Sequence, residues 1–400
     1  MNKKKVFLWS LYDFANSIVF INFLLYFSQW LVLEGGLSDF WYNATFAIST
    51  ILLFFSAPIL AAYTDKFGKR KSFLNWATIG TAVCYALSAL FAMKGLNIVI
   101  VAFFFLLGQY FYQLSFVFYN PLIEELSDKT HRGRVSGIGQ FSNAIGQVVG
   151  LAIMLPLAGG SRLLPLLPSV GIFVLLAIPF MLFYKENPRE EIVKNEPVKI
   201  SDFYKKLIPF FSLSIATPLL FAFFFYNDAL VTVTNNYSIY MQKVFEIPDS
   251  KKSLLLMLIV VMNAFGGLIS GWLGDKIGLE KTLKTVLFFW VIALPIIAIT
   301  SNMTLFIVLT AILGLLIGAM WAVSRAYMSL LLAKEDLGYG FSFYTILERF
   351  STFVGPLTWG AIISILGTES ETYRIAMGAM TLFVVIGLVI ITFLKKNKTN

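Results

Sequence analysis

Apolar residues run almost end to end along this chain, broken only by short polar stretches. A hydrocarbon core of roughly 30 Å needs about 20 consecutive, mostly apolar residues per helical crossing. Runs of that kind cover about 6–33, 41–63, 72–93, 97–120, 134–158, 163–184, 214–242, 252–273, 281–300, 303–328, 340–366 and 372–394. The alternation expected of barrel strands is missing. IVIVAFFFLLGQYFYQLSFVF (98–118), for example, is apolar on both parities. The pattern predicts an all-α membrane protein with twelve transmembrane helices. The apolar stretch behind the first lysines continues without an A-x-A-like cleavage site, so it reads as the first span and not as a signal peptide. The one long polar segment, KENPREEIVKNEPVKISDFYKK, divides the spans six and six. This predicts two six-helix halves, 1–184 and 207–400, joined by a linker at 185–206. LIPFFSLSI (207–215) is either a membrane-surface helix or the start of span seven.

Composition agrees: 58% of residues are hydrophobic, 13% are charged and the mean hydropathy is +0.79. The net charge of +9 does not indicate nucleic acid, because the basic residues form no stripe interleaved with base-stacking aromatics. They gather instead in alternate loops. Lys66, Lys69, Arg70 and Lys71, then Lys129, Arg132 and Arg134, then the linker lysines fall on one side with both termini. The other side holds only Lys94, Arg162, Lys243, Lys251, Lys252 and Arg374. The positive-inside rule then places both termini in the cytoplasm of a plasma (inner) membrane protein. Cys84 and His131 are the only residues of their types, so no disulfide or metal framework is expected. No phosphate-binding loop or Ser/His/Asp arrangement appears, and neither a cofactor nor an enzymatic reaction is expected. The expected partners are a small-molecule substrate, a coupling proton or sodium ion and the lipid bilayer. The expected acting unit is a single chain.

The two halves carry related loops. AAYTDKFGKRKSFL (61–74) and GWLGDKIGLEKTL (271–283) align Asp65 with Asp275 and Gly68 with Gly278. LSDKTHRGRVSG and LAKEDLGYGFS align Gly133 with Gly340. The first loop resembles the G-x-x-x-D-[RK]-x-G-[RK]-[RK] signature of the major facilitator superfamily, with Ala61 in place of the first glycine and Leu279 and Glu280 in place of the second basic pair. YDFANS (12–17), FYNPLIEEL with RGRVSGIG (118–139), FFYNDALVTV (224–233), GAMWAVSRA (318–326) and GFSFYTILERFSTFVGPLTWG (340–360) are similar to the vacuole-effluxer-like branch of that superfamily. The resemblance implies two halves rocking about a midplane site lined by spans one, four, seven and ten. In that branch, fungal members are associated with efflux of amino acids from the vacuole. The resemblance also assigns Asp65, Gly68 and Arg70, with Asp275 and Gly278, to stabilising one access state.

Polar residues inside the spans are the candidates for chemistry, because a carboxylate facing lipid costs at least a few kcal/mol. Asp13, Asn16, Ser17 and Phe20 recur at helical spacing on span one. Asp13 is either a pathway residue or a structural one that holds a neighbouring helix end or a basic loop. Asp228, Thr232 and Asn235 form a stripe on span seven, with Asn227 and Thr234 beside it. Asp228 is expected either to bind a cation or substrate amine or to pair with Arg325 or another basic residue. Arg325 lies on the stripe Gly314, Gly318, Trp321, Arg325, close to a cytoplasmic loop, and reads as a gate. Glu348 and Arg349 lie part-way into span eleven and need partners on other helices. Gln109 and Gln113 on span four, and Gln140, Asn143 and Gln147 on span five, either join helices or line the pathway. In the signature loop, Asp65 reads as accepting N–H bonds at a helix N-terminus and Gly68 as permitting the reversal. The expected function is secondary transport of a small polar or amphipathic solute, an amino acid above all, with Asp228 and Asp13 as coupling candidates. Its rivals are export of hydrophobic compounds or lipids and a non-transporting membrane sensor.

Overall fold

The computed structural model describes residues 3–67, 69–126, 132–157, 160–186, 217–331, 347–348 and 351–393. Gly68, Arg349, Gly340, most of the linker and the segment 207–215 lie outside them, as does the side chain of Asp65. The chain divides into two compact units, Met1–Phe203 and Tyr204–Asn400.

In the first unit, α1 is Lys3–Asn22, α2 Asp39–Phe67, α3 Arg70–Met93, α4 Ile98–Tyr119, α5 Arg132–Met154 and α6 Leu166–Phe183. In the second, α7 is Thr217–Phe245, α8 Asp249–Ile277, α9 Leu279–Ile299, α10 Met303–Leu331, α11 Val354–Leu366 and α12 Ser370–Thr392. Among the described residues, eleven helices are long and apolar enough to cross a membrane, and the shorter apolar α11 occupies the eleventh place. Large side chains such as Trp76, Phe103, Leu268 and Leu382 are exposed, as lipid contact requires.

Both units pack by the same scheme. α1 lies against α5 and α6, α2 against α4, and α3 against α4 and α6. In the second unit α7 lies against α11 and α12, α8 against α10, and α9 against α10 and α12. Corresponding helices thus keep corresponding neighbours, as a duplicated six-helix unit would.

Local chemistry explains departures from simple rods. α1 continues to Glu34 through π-helical turns at Phe23–Phe27 and Trp30–Glu34. There Asn22 Nδ2 donates to Ile18 O (2.8 Å), Ser28 Oγ to Leu24 O (2.6 Å) and Gln29 Nε2 to Leu25 O (2.8 Å). Side chains that bond back to the preceding turn compete with the main-chain ladder and widen it.

The signature loops require a correction. Asp65 and Asp275 do not stand at helix N-termini, because α2 runs to Phe67 and α8 to Ile277, which places both aspartates in last turns. Glu186 caps the N-terminus of α3. Its two carboxylate oxygens accept from Arg70 N and Lys71 N, each at 3.1 Å. Gly278, the counterpart of Gly68 in the second unit, stands between α8 and α9 at φ 91°, where other residues are strained.

Span eleven also differs from the continuous run expected over 340–366. The backbone is irregular at 351–353 before α11 begins at Val354. Pro356 is tolerated in the first turn of a helix, but its ring would clash with the carbonyl of Thr352 if the helix ran straight through.

Candidate functional site

Each unit holds one buried aspartate on its first helix, with other intramembrane polar residues around it. In the first unit, Asp13 is buried on α1 and turns toward α5. Asn143 Nδ2 donates to Asp13 Oδ1 at 3.0 Å, and Gln147 Nε2 donates to Asn143 Oδ1 at 2.7 Å. The Tyr119 hydroxyl, which donates to Trp9 O at 3.0 Å, also neighbours the carboxylate. Close approach of α5 permits this. A methyl on Gly146 would collide with Phe14 O, and one on Gly150 would lie 3.0 Å from Ile18 Cα.

Asp13 and Asn16 lie about 60° apart around α1. Asp13 turns to α5, whereas Asn16 lies on the stripe of Tyr12 and Phe20 that faces α4. Gln113 joins helices: its Nε2 donates to Ser49 Oγ (2.9 Å), and its Oε1 accepts from Thr50 (3.5 Å) on α2. Gln109 is buried one turn away.

In the second unit, Asp228 and Thr232 are fully buried on α7. If α7 enters the membrane near Thr217, eleven residues carry Asp228 about 16 Å along the helix, roughly half the depth of a hydrocarbon core. Asp228 is not paired with Arg325. Its Oδ2 accepts from Gly355 N at 2.7 Å, so the carboxylate sits on the N-terminus of α11. Its other oxygen, Oδ1, and Thr232 Oγ1 have no hydrogen-bond partner. Both face Gly355: a methyl there would collide with Thr232 Oγ1 and stand 2.9 Å from Asp228 Oδ1.

Asn227 clamps the irregular segment before α11. Its Nδ2 donates to Ser351 Oγ and to Glu348 O (3.4 Å), and its Oδ1 accepts from Trp321 Nε1 at 3.0 Å. Tyr226 adds a second tie to α10, its hydroxyl lying 2.8 Å from Ser324 Oγ. The stripe assigned to Arg325 therefore divides. Gly314 and Gly318 meet α8, Trp321 meets α7, and Arg325 itself is half-buried. Asn235 is buried further along α7, and the described Glu348 contributes its carbonyl to the Asn227 clamp.

Sequence reasoning missed Glu186, Ser351 and Gly355. Glu186 carried a signal, being an acid just past the sixth span. Gly355 carried one too, preceding a proline inside an apolar run.

An aspartate on the first helix of each half, each reaching the fifth helix, completes the internal duplication. Residues 10–248 and 219–400 each match the Major Facilitator Superfamily. The chain belongs to that superfamily. It is similar to the uncharacterized MFS-type transporter YxiO of Bacillus subtilis (strain 168), with 24% identity covering 98% of this chain and 95% of the relative. It is also 24% identical to human monocarboxylate transporter 10, over 82% of this chain and 65% of the relative. Among solved structures, the bacterial homologue of the human lysosomal transporter Spinster, inward-facing and unoccupied, superposes with a TM-score of 0.79 at 14% identity, covering 98% and 97% of the two chains. The nucleoside transporter NupG superposes with a TM-score of 0.77 at 12% identity over both full lengths. These two likenesses establish the fold. As a superfamily member the protein is a multi-pass membrane transporter and not an enzyme.

Proposed function

We propose that this superfamily member is a secondary active transporter of a small polar or amphipathic solute, with amino acids as the substrate class, driven by a proton or sodium ion. The vacuole-effluxer-like motifs favour amino acids, and a relative named for monocarboxylates is compatible with a carboxylate-bearing solute. The observation that carries the coupling is the pair of intramembrane carboxylates. Asp13 is held by an amide and Asp228 by a backbone N–H, and among the described residues neither forms an ion pair. A carboxylate kept in a membrane interior without a basic partner is costly unless a cation or proton joins it in the working cycle.

Counterflow in proteoliposomes tests the substrate assignment. Vesicles loaded with unlabelled amino acids are expected to take up labelled amino acids of one subset saturably. Entry at the rate of protein-free vesicles for every amino acid would remove them as substrates.

The topology is part of the same proposal: both termini and the 185–206 linker are cytoplasmic, in the plasma (inner) membrane. On the opposite side, three of the basic groups have local partners. Arg162 pairs with Glu34, Lys252 Nζ lies 2.7 Å from Asp249 Oδ1, and Arg374 donates to Ala298 O (2.8 Å) and Thr300 O (2.6 Å). The reading rests on the greater number of Lys and Arg on the terminal side of the sequence, through the positive-inside rule. Single cysteines placed in the linker are expected to react with a membrane-impermeant maleimide only after the cells are opened. Labelling of intact cells would invert the topology.

A further inference from the structure

Asn16 is a buried amide whose hydrogen-bonding capacity the protein leaves unused. It is 1% exposed, and neither its Oδ1 nor its Nδ2 has a partner. Leaving an amide so in an apolar interior is costly. A helix selected only for packing would be better served by leucine.

Rings define its surroundings. On α1, Trp9 stacks on Tyr119 of α4 (centroids 4.6 Å apart), Tyr12 tilts against the same ring (5.3 Å), and Phe20 stacks on Tyr112 (4.9 Å). Asn16 stands one turn from both Tyr12 and Phe20, between those two contacts. On α4, Phe116 stands between Tyr112 and Tyr119, edge-on to both (5.3 and 6.0 Å). The extensive backbone packing of α1 is with α5 and α6, so rings bridge it to α4. Helical spacing puts Asn16 on the ring-bearing face of α1, between its contacts with Tyr119 and Tyr112, as Phe116 lies between those two rings on α4.

We infer that Asn16 is the hydrogen-bonding anchor of a solute subsite in the α1–α4 seam, taking a solute with a donor and an acceptor side by side next to a flat apolar body. The chemistry follows from the groups present. A primary amide offers an acceptor and two donors in one plane, and it pairs with an adjacent donor and acceptor on a ligand. The neighbouring rings accept a flat body by offset or edge-to-face contact. An aromatic amino acid meets both conditions through its ammonium and carboxylate, and a nucleobase through its N–H and C=O edge. The inference rests on the solute-transport reading above and narrows its substrate class.

The test uses purified full-length protein, wild type and Asn16→Leu, melted in detergent with L-tryptophan, uridine, indole-3-propionate or glycine. Indole-3-propionate keeps the flat body without the amine, and glycine keeps the paired groups without the flat body. Wild type is expected to be stabilised by tryptophan or by uridine, whichever source supplies the solute, and not by the other two probes. Asn16→Leu is expected to melt no lower than wild type without solute, since it loses no hydrogen bond, and to bind the active probe about tenfold more weakly or worse. Phe116→Leu provides a second reading that leaves Asn16 in place, with the preference for flat solutes expected to fall. A lower melting temperature for Asn16→Leu with unchanged probe affinity would make Asn16 structural and overturn the assignment. So would a wild-type protein stabilised equally by all four probes or by none. Counterflow of other amino acids by wild type would in that case leave the transport reading standing, so the two failures are distinguishable.

Discussion

Replacing Asp228 with asparagine is expected to abolish coupled uptake while leaving the fold at least as stable as wild type. The geometry separates the two roles of the side chain. As a helix cap, Asp228 supplies one oxygen to Gly355 N–H, and asparagine caps as well as aspartate does. Its remaining oxygen and Thr232 Oγ1 are buried without partners, so the amide nitrogen of asparagine can donate to the Thr232 hydroxyl. Asparagine therefore retains the cap, adds a donor where none exists and removes a buried charge. It cannot release a proton or neutralise a sodium ion. Exchange that moves no net charge should continue, so counterflow is expected to persist where gradient-driven accumulation is lost. Asp228→Ala should lose coupling and also melt lower, by an amount corresponding to about 1–3 kcal/mol, because it strips the cap from α11. Gradient-driven accumulation at wild-type rates in the asparagine variant would confine Asp228 to capping.

What the sequence revealed, and what it hid, divides along a physical line. The positions of the spans were legible because the bilayer imposes a length on every apolar run, and this requirement is local. The duplication was legible because Asp65 and Asp275, with Gly68 and Gly278, recur at one offset. Asp13, Asn16 and Asp228 could be singled out because ionic and amide groups are costly among apolar neighbours. Their partners could not. Asp228 meets a backbone N–H exposed only because the chain is irregular before Val354, and the groups that hold that stretch come from elsewhere: Asn227 reaches Ser351 and Glu348 from α7 and is itself held by Trp321 of α10. Periodicity placed Asp13 and Asn16 on one polar face. Only three-dimensional packing shows that α5 supplies a partner to Asp13 and that Trp9, Tyr12 and Phe20, on the same side of α1 as Asn16, meet the rings of α4. The helix-N-terminal position read for Asp65 differs for a similar reason. The helix ran one turn further than its charged residues suggested, and Glu186, remote in sequence, supplied the cap.

Alanine at Gly266 or at Gly318 is expected to destabilise the second half more than most single-methyl changes do. These glycines lie in the seam between α8 and α10, and each meets main chain, not a side chain that can rotate away. A methyl on Gly266 would collide with Leu315 O and lie 2.7 Å from Leu315 C. On Gly318 it would collide with Asn263 O and lie 2.7 Å from Asn263 C. Gly314 adds a third close approach, 3.0 Å from Ile259 Cα. The only relief is to move one helix off the other along the whole seam. Overpacking of this kind costs about 1–3 kcal/mol or more per site, and the two sites should not add, because the first displacement makes room for the second. Gly271 on the same helix is the internal control. Nothing stands within 4 Å of a methyl there, and alanine should match or exceed wild type through helix propensity. Melting of the three purified variants checks the contrast, and equal melting temperatures would show the seam to be loose. The consequence extends beyond stability, because α10 also presents Trp321 to Asn227 and Ser324 to Tyr226. A displaced α10 pulls on the residue next to Asp228, so coupled uptake by any surviving Gly318→Ala protein should fall further than its folded fraction does.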